Sequence, residues 1–100
     1  MRANDNTRRK EYQEVDVLDE AGHAFFLVVW NDDVNTFDWV IQSLIEICGH
    51  TEEQAEQCAL LIHYTGKYAV KEDSFEKLRP QKEALLDRGI DATIEEQVDA

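Results

Sequence analysis

Residues Ala24-Phe25-Phe26-Leu27-Val28-Val29-Trp30 form an unbroken apolar run, rich in aromatic and β-branched side chains, that stops abruptly at Asn31-Asp32-Asp33. Such a run predicts a strand buried on both faces or packed beneath helices, so the rest of the chain must supply a covering layer. With 100 residues there is material for one small domain and a modest core.

The covering layer is legible downstream. Phe37, Val40, Ile41, Leu44, Ile45 and Cys48 recur at helical spacing and predict one apolar stripe along a helix closed by Gly49. Thr51 with Gln54 three residues later predicts a capping box opening a second helix. On it Ala55, Cys58, Ala59 and Ile62 form the buried side, and Glu52, Glu53 and Glu56 the solvated one. After Gly66, Lys67-Tyr68-Ala69-Val70-Lys71 alternates as a half-exposed strand does. Asp73 or Ser74 can cap a third helix carrying Phe75, Leu78, Leu85 and Leu86. Pro80 predicts a break or kink in it, with the main part running from Pro80 to Arg88 and closed by Gly89. Ile90 to Glu95 supplies a last short strand.

Upstream, Tyr12, Val15 and Val17 suggest a short extended stretch, and Asp19-Glu20-Ala21-Gly22 a turn. Residues 1–11 are polar, charged and without apolar periodicity, and read as a disordered tail. The fold class expected is α+β: a single small domain over residues 12–100, core 23–95, in the order β-α-α-β-α-β. Its helices pack on one face of a three-stranded antiparallel sheet.

Ten Lys and Arg against 22 Asp and Glu give a net charge of −12, and the first eleven residues are themselves slightly basic, so the folded part is strongly acidic. That charge repels a phosphate backbone or an anionic membrane, which removes nucleic acid and membrane surfaces from the expected partners. No run approaches the ~18 to 20 apolar residues of a membrane span, and the start lacks the apolar core of a secretory signal. A soluble intracellular protein is expected. Cys48 and Cys58 match no CxxC redox or zinc spacing and read as free thiols packed in a core.

Catalytic signatures are missing from the chain. The four glycines stand singly, none in a phosphate-cradling loop, so no nucleotide cofactor is expected. Ser43 and Ser74 fall on a helix face and at a cap, not beside a base. A metal site built from His63, Asp32 and Asp33 lacks paired histidine spacing, and none is expected. Two polar clusters remain. Asn31-Asp32-Asp33 at the end of a buried strand is placed to hold a cationic group at the rim of an apolar cavity, and equally to make an ordinary strand-to-helix turn. His63-Tyr64-Thr65-Gly66-Lys67 puts a histidine on the last turn of the second helix, one residue after Ile62, where a structural imidazole is also common. His23 and His50 have no comparable neighbourhood.

Taken together, Asn31-Asp32-Asp33 and His63-Tyr64-x-Gly66-Lys67, about thirty residues apart with two amphipathic helices between, resemble the ClpS family of adaptors for bacterial Clp proteases. The resemblance runs from Phe25 to Glu95. It implies a cytoplasmic, non-catalytic adaptor that binds proteins beginning with Leu, Phe, Tyr or Trp (an N-degron), and for so acidic a small domain a monomer is expected. It also implies delivery of them to the N-terminal domain of a Clp-type AAA+ unfoldase of the ClpA or ClpC class. Asn31, Asp32 and His63 would then grip the α-ammonium, with Asp33 orienting the loop. Val29, Asn35, Phe37, Val40, Ala59, Ile62 and Ile90 would line the side-chain pocket. The same resemblance gives Glu76 and Lys82 as unfoldase contacts. Phe37 stands where many members carry methionine, and Ala59 where a larger side chain is frequent. The chemistry of the residues agrees, because a carboxylate, an amide carbonyl and a neutral imidazole nitrogen are acceptors for the three donors of an ammonium. The alternative is the same fold binding an internal segment of a partner, which would be indifferent to acetylation of that partner's N-terminus.

Overall fold

The computed structural model describes residues 9–11 and 24–97, at 9–11 and 97 by backbone alone. The extended stretch and turn expected between Tyr12 and Gly22 lie outside the described residues. Along the chain the elements are β1 (Arg9–Glu11), β2 (Phe25–Trp30), α1 (Phe37–Cys48), α2 (Glu52–Thr65), β3 (Lys67–Asp73), α3 (Phe75–Asp87) and β4 (Ala92–Gln97). The sheet is antiparallel throughout, in the order β1-β4-β2-β3.

The apolar run is the central strand, β2. Phe25, Leu27 and Val29 alternate onto the helix side, where they meet Leu44 and Cys48 of α1, Cys58 and Ile62 of α2, and Leu78 and Leu85 of α3. Phe25 meets Phe75 edge-on at 5.7 Å between ring centroids. Val28, fully buried, belongs to the other face, opposite Thr93 of β4. On that face the indole N–H of Trp30 donates to Thr93 Oγ1 at 3.0 Å, and the Thr93 hydroxyl donates to Glu95 Oε2 at 3.0 Å. This chain satisfies two buried polar side chains that would otherwise destabilise the sheet.

The three-stranded antiparallel sheet expected from sequence is β3-β2-β4, and the helix layer covers one face of it. The polar tail read over 1–11 needs correction, because Arg9–Glu11 adds a fourth, short strand on β4, with Lys10 opposite Glu96. Pairing along a strand edge is made by backbone N–H and C=O groups, so it requires no apolar periodicity. The last strand starts two residues later than expected, at Ala92.

The break expected at Pro80 is absent, since α3 is continuous through it. Ser74 caps the helix through Lys77 N–H, while Phe75, Leu78 and Leu85 anchor it to the sheet on either side of the proline. Pro80 and Glu76 are both exposed, so the Glu76 carbonyl deprived of its helical donor faces water. Packing thereby outweighs a local cost of about 3 kcal/mol. The capping box of α2 is present as predicted, with Thr51 N–H donating to Gln54 Oε1 at 3.0 Å and Gln54 N–H to Thr51 Oγ1 at 3.1 Å.

Candidate functional site

Where β2 ends, the chain is fastened before it enters α1. Trp30 N–H donates to the Asp91 carbonyl at 3.0 Å and Asn31 N–H to the Gly66 carbonyl at 2.9 Å. Gly66 closes α2 in the left-handed region, φ +91°, which a residue with a Cβ adopts only under strain. This bond draws the Asn31 loop against the last turn of α2, where His63 sits.

Asp32 organises the loop itself. Its Oδ1 accepts the backbone N–H groups of Val34 at 2.9 Å and Asn35 at 2.8 Å, and its Oδ2 accepts Asn35 Nδ2 at 2.8 Å. Partial burial pushes the Asp32 carboxyl up, but these three hydrogen bonds outweigh it and hold the group below its ordinary value of 3.8. Asn35 Nδ2 also donates to the Gly89 carbonyl at 2.9 Å, tying the loop to the end of α3. Two oxygen acceptors on one side of the amide fix which atom is nitrogen. The loop-orienting bonds therefore belong to Asp32, while Asp33 is exposed and makes none among the described residues.

Loop, first turn of α1 and last turn of α2 enclose a cavity of about 240 Å³. Asn31, Asp32, Asn35 and His63 contribute its polar part, and Phe37, Val40, Ala59 and Ile62 its apolar part. Phe37 and Val40 stand one turn apart on α1, as Ala59, Ile62 and His63 do on α2, so each helix presents one face to the cavity. The structure thus gathers eight of the residues singled out from sequence. Val29 and Ile90 sit instead in the core cluster, outside the lining. Thr36 lines the cavity as well and was missed. Its hydroxyl caps α1 by accepting Trp39 N–H at 3.1 Å, and its place just before the apolar stripe was the available signal.

The His63 imidazole is exposed and makes no hydrogen bond among the described residues. It touches two rings, Phe37 at 5.5 Å and Tyr64 at 5.2 Å between centroids. Val34, 86% exposed, and Tyr64, 78% exposed, leave apolar surface beside the site.

Behind the loop, Arg88 fastens α1 to the end of α3. Its carbonyl accepts the Trp39 indole N–H at 3.2 Å and its guanidinium lies over the same ring. Nη1 donates to Ser43 at 3.1 Å and Nη2 pairs with Glu46 at 2.8 Å. Glu76 is exposed in the first turn of α3, at the other end of that helix, and Lys82 is half-buried about 120° around it. A larger groove, about 660 Å³, lies between the α1–α2 turn, α2 and β3. Lys71 Nζ there lies on the Cys48 carbonyl at 3.0 Å and His50 Nε2 on the Val70 carbonyl at 2.7 Å, while His50 Nδ1 is buried without a hydrogen-bond partner among the described residues. Among the described residues no group of His, Cys, Asp and Glu is placed to hold a metal ion, and no helix is long and apolar enough to cross a membrane.

Residues 20–93 match the family described as "ATP-dependent Clp protease adaptor protein ClpS". The ClpS adapter protein of Mycobacterium tuberculosis is 30% identical over 90 residues, covering 90% of this chain and 86% of that protein. That of Corynebacterium aurimucosum is 26% identical over 83 residues, covering 83% and 75%. Agrobacterium tumefaciens ClpS2, solved bound to L-phenylalaninamide, shares the fold at a TM-score of 0.65 and 18% identity, over 75% of this chain and 96% of that one. The chain belongs to the ClpS family and is an adaptor of the ATP-dependent Clp protease, not an enzyme.

Proposed function

We propose that the protein binds the free N-terminus of proteins that begin with a bulky hydrophobic residue, of the Leu, Phe, Tyr and Trp class, and hands them to a Clp unfoldase of the ClpA or ClpC class. The observation that carries this reading is the convergence of three acceptors and an apolar wall on one cavity of about 240 Å³. Asn31, Asp32 and His63 would take the α-ammonium. Three lone-pair positions of the Asp32 carboxylate are already used by the loop, so it contributes charge and at most one further direct bond. Asn31 Oδ1 and a neutral His63 nitrogen supply the rest. Phe37, Val40, Ala59 and Ile62 would hold the first side chain. The ligand of ClpS2, L-phenylalaninamide, has a free α-amine beside a phenyl group, which supports the same pairing here.

Burying a Phe or Leu side chain is worth roughly 1.5 to 3 kcal/mol, and a charged hydrogen bond about the same. Neither half alone offsets the cost of association, so both are required for micromolar binding. Glu76, with Lys82, would dock on the unfoldase from the far end of α3. The protein would work as a monomer in the bacterial cytoplasm.

The test is fluorescence anisotropy with labelled peptides beginning with Leu, Phe, Tyr, Trp, Ile or Ala, each free and N-acetylated. Binding confined to free N-termini of the bulky class is expected. Equal binding of acetylated peptides would exclude the ammonium clamp and favour an internal segment as ligand.

A further inference from the structure

A histidine that accepts a hydrogen bond from a ligand is ordinarily oriented by a bond on its other ring nitrogen. His63 has no such bond among the described residues. What touches the ring is aromatic: Phe37, from the start of α1, at 5.5 Å and a tilt of 58°, and its own neighbour Tyr64 at 5.2 Å and 72°. Adjacent helical residues do not face each other along the helix, so Tyr64 alone restrains the imidazole weakly. Phe37 reaches it from a different element, and its backbone is set by the Thr36 cap immediately before it.

We infer that Phe37 is a positioning residue for His63, holding the imidazole in the plane from which its nitrogen meets the ligand's α-ammonium. The inference rests on the N-terminal-amine reading above. It gives Phe37 a role distinct from walling the side-chain pocket. A wall residue sets which first residue is preferred. A residue that orients the ammonium acceptor sets affinity for every free N-terminus alike. Phe37 is 44% exposed, so replacing it leaves the core intact. Tyr64 lies outside the cavity lining and provides an independent second probe of the ring contact.

The experiment compares Phe37→Leu, Phe37→Tyr and Tyr64→Ala, each with His63 present and with His63→Ala. Binding is read by anisotropy with free peptides beginning with Phe, Leu and Trp. Aromatic contacts of this kind are worth about two- to tenfold in an equilibrium. Phe37→Leu is expected to weaken all three peptides by a similar factor in that range, Phe37→Tyr to restore them, and the loss from Phe37→Leu to shrink once His63 is gone to what Phe37 contributes as part of the apolar wall. Tyr64→Ala is expected to give a smaller loss with the same dependence on His63. An equal loss in the His63→Ala background, or a reordering of the three peptides without a common loss, would overturn the inference.

A second readout needs no ligand. Carbon relaxation of the His63 Cδ2–H and Cε1–H groups in the free protein is expected to show an ordered ring that becomes mobile in Phe37→Leu. Unchanged ring mobility would sink the positioning role. If the wild-type protein fails to distinguish free from acetylated peptides, the binding reading fails and takes the inference with it, whereas unchanged ring mobility in Phe37→Leu sinks the positioning role alone.

Discussion

At Asp32 a structural task and the proposed binding task fall on one carboxylate, and two substitutions separate them. Asp32→Ala removes the acceptors of three hydrogen bonds and is expected to cost about 1 to 3 kcal/mol of stability in urea unfolding. Asp32→Asn keeps an oxygen for the Val34 and Asn35 N–H groups but loses the charge and turns an NH2 towards Asn35 Nδ2. It should cost less stability than Asp32→Ala while losing about tenfold or more in affinity for a free N-terminus. Wild-type affinity in Asp32→Asn would remove the charge from the binding account. Because folding lowers the Asp32 pKa, its contribution is complete above the ordinary value of 3.8 and is lost as pH falls through the lower folded value. The cysteines behave in the opposite sense. Burial, with a smaller push from Cys58 and some relief from Lys71, raises Cys48 from 9.0 to about 11. Its contribution is therefore full below pH 9 and declines as pH rises towards 11, by about 2 to 3 kcal/mol. Urea unfolding between these pH values should show the decline, and Cys48→Ala should flatten it.

Among the elements, α3 invites the sharpest prediction. Restoring an N–H opposite the Glu76 carbonyl by Pro80→Ala should stabilise the protein by about 1 to 3 kcal/mol, the helix gain of ~3 less the greater freedom of the unfolded chain. Destabilisation would show that the proline ring makes contacts that matter more than the missing bond. The same element shows where sequence reasoning stops. The stripe from Phe37 to Cys48 and the Thr51–Gln54 box were readable because helix periodicity and capping are local. Pro80 was misread because the force that carries the helix through it comes from Phe75, Leu78 and Leu85 against the sheet, residues whose partners are distant in the chain. Strand β1 escaped notice because its bonds are made by backbone, which carries no residue signature. At the site, motif spacing brought out Asn31, Asp32 and His63, which share one cavity, whereas Val29 and Ile90 stand in the core and are not among the residues lining it. Nor could spacing reveal that Trp30 bonds to Thr93, 63 residues on, and through it to Glu95 in one polar chain.

For the molecule as a whole, a net charge of −12 over 100 residues makes self-repulsion the dominant long-range term. Raising ionic strength from near zero to about 0.15 M shortens the screening length to ~8 Å, and the melting temperature is expected to rise. A fall would mean that attractive surface pairs outweigh the repulsion. Geometry at this scale also separates the tasks of an adaptor. The Asn31–Thr36 loop is tied to the C-terminal end of α3 through Asn35 and Gly89, whereas Glu76 lies about 16 Å away along the same helix, at 1.5 Å per residue. The proposed cargo site and the proposed unfoldase contact thus stand at opposite ends of one helix.

The bonds that pin the Asn31–Thr36 loop to Gly66, to Gly89 and to its own Asp32 bear on time as well as on affinity. On the proposed reading, a loop so pinned has little to rearrange when a ligand arrives, and suitable peptides are expected to associate at nearly the same rate. Preference among first residues would then be expressed in how long each peptide stays, and the adaptor would sort its cargo by residence time.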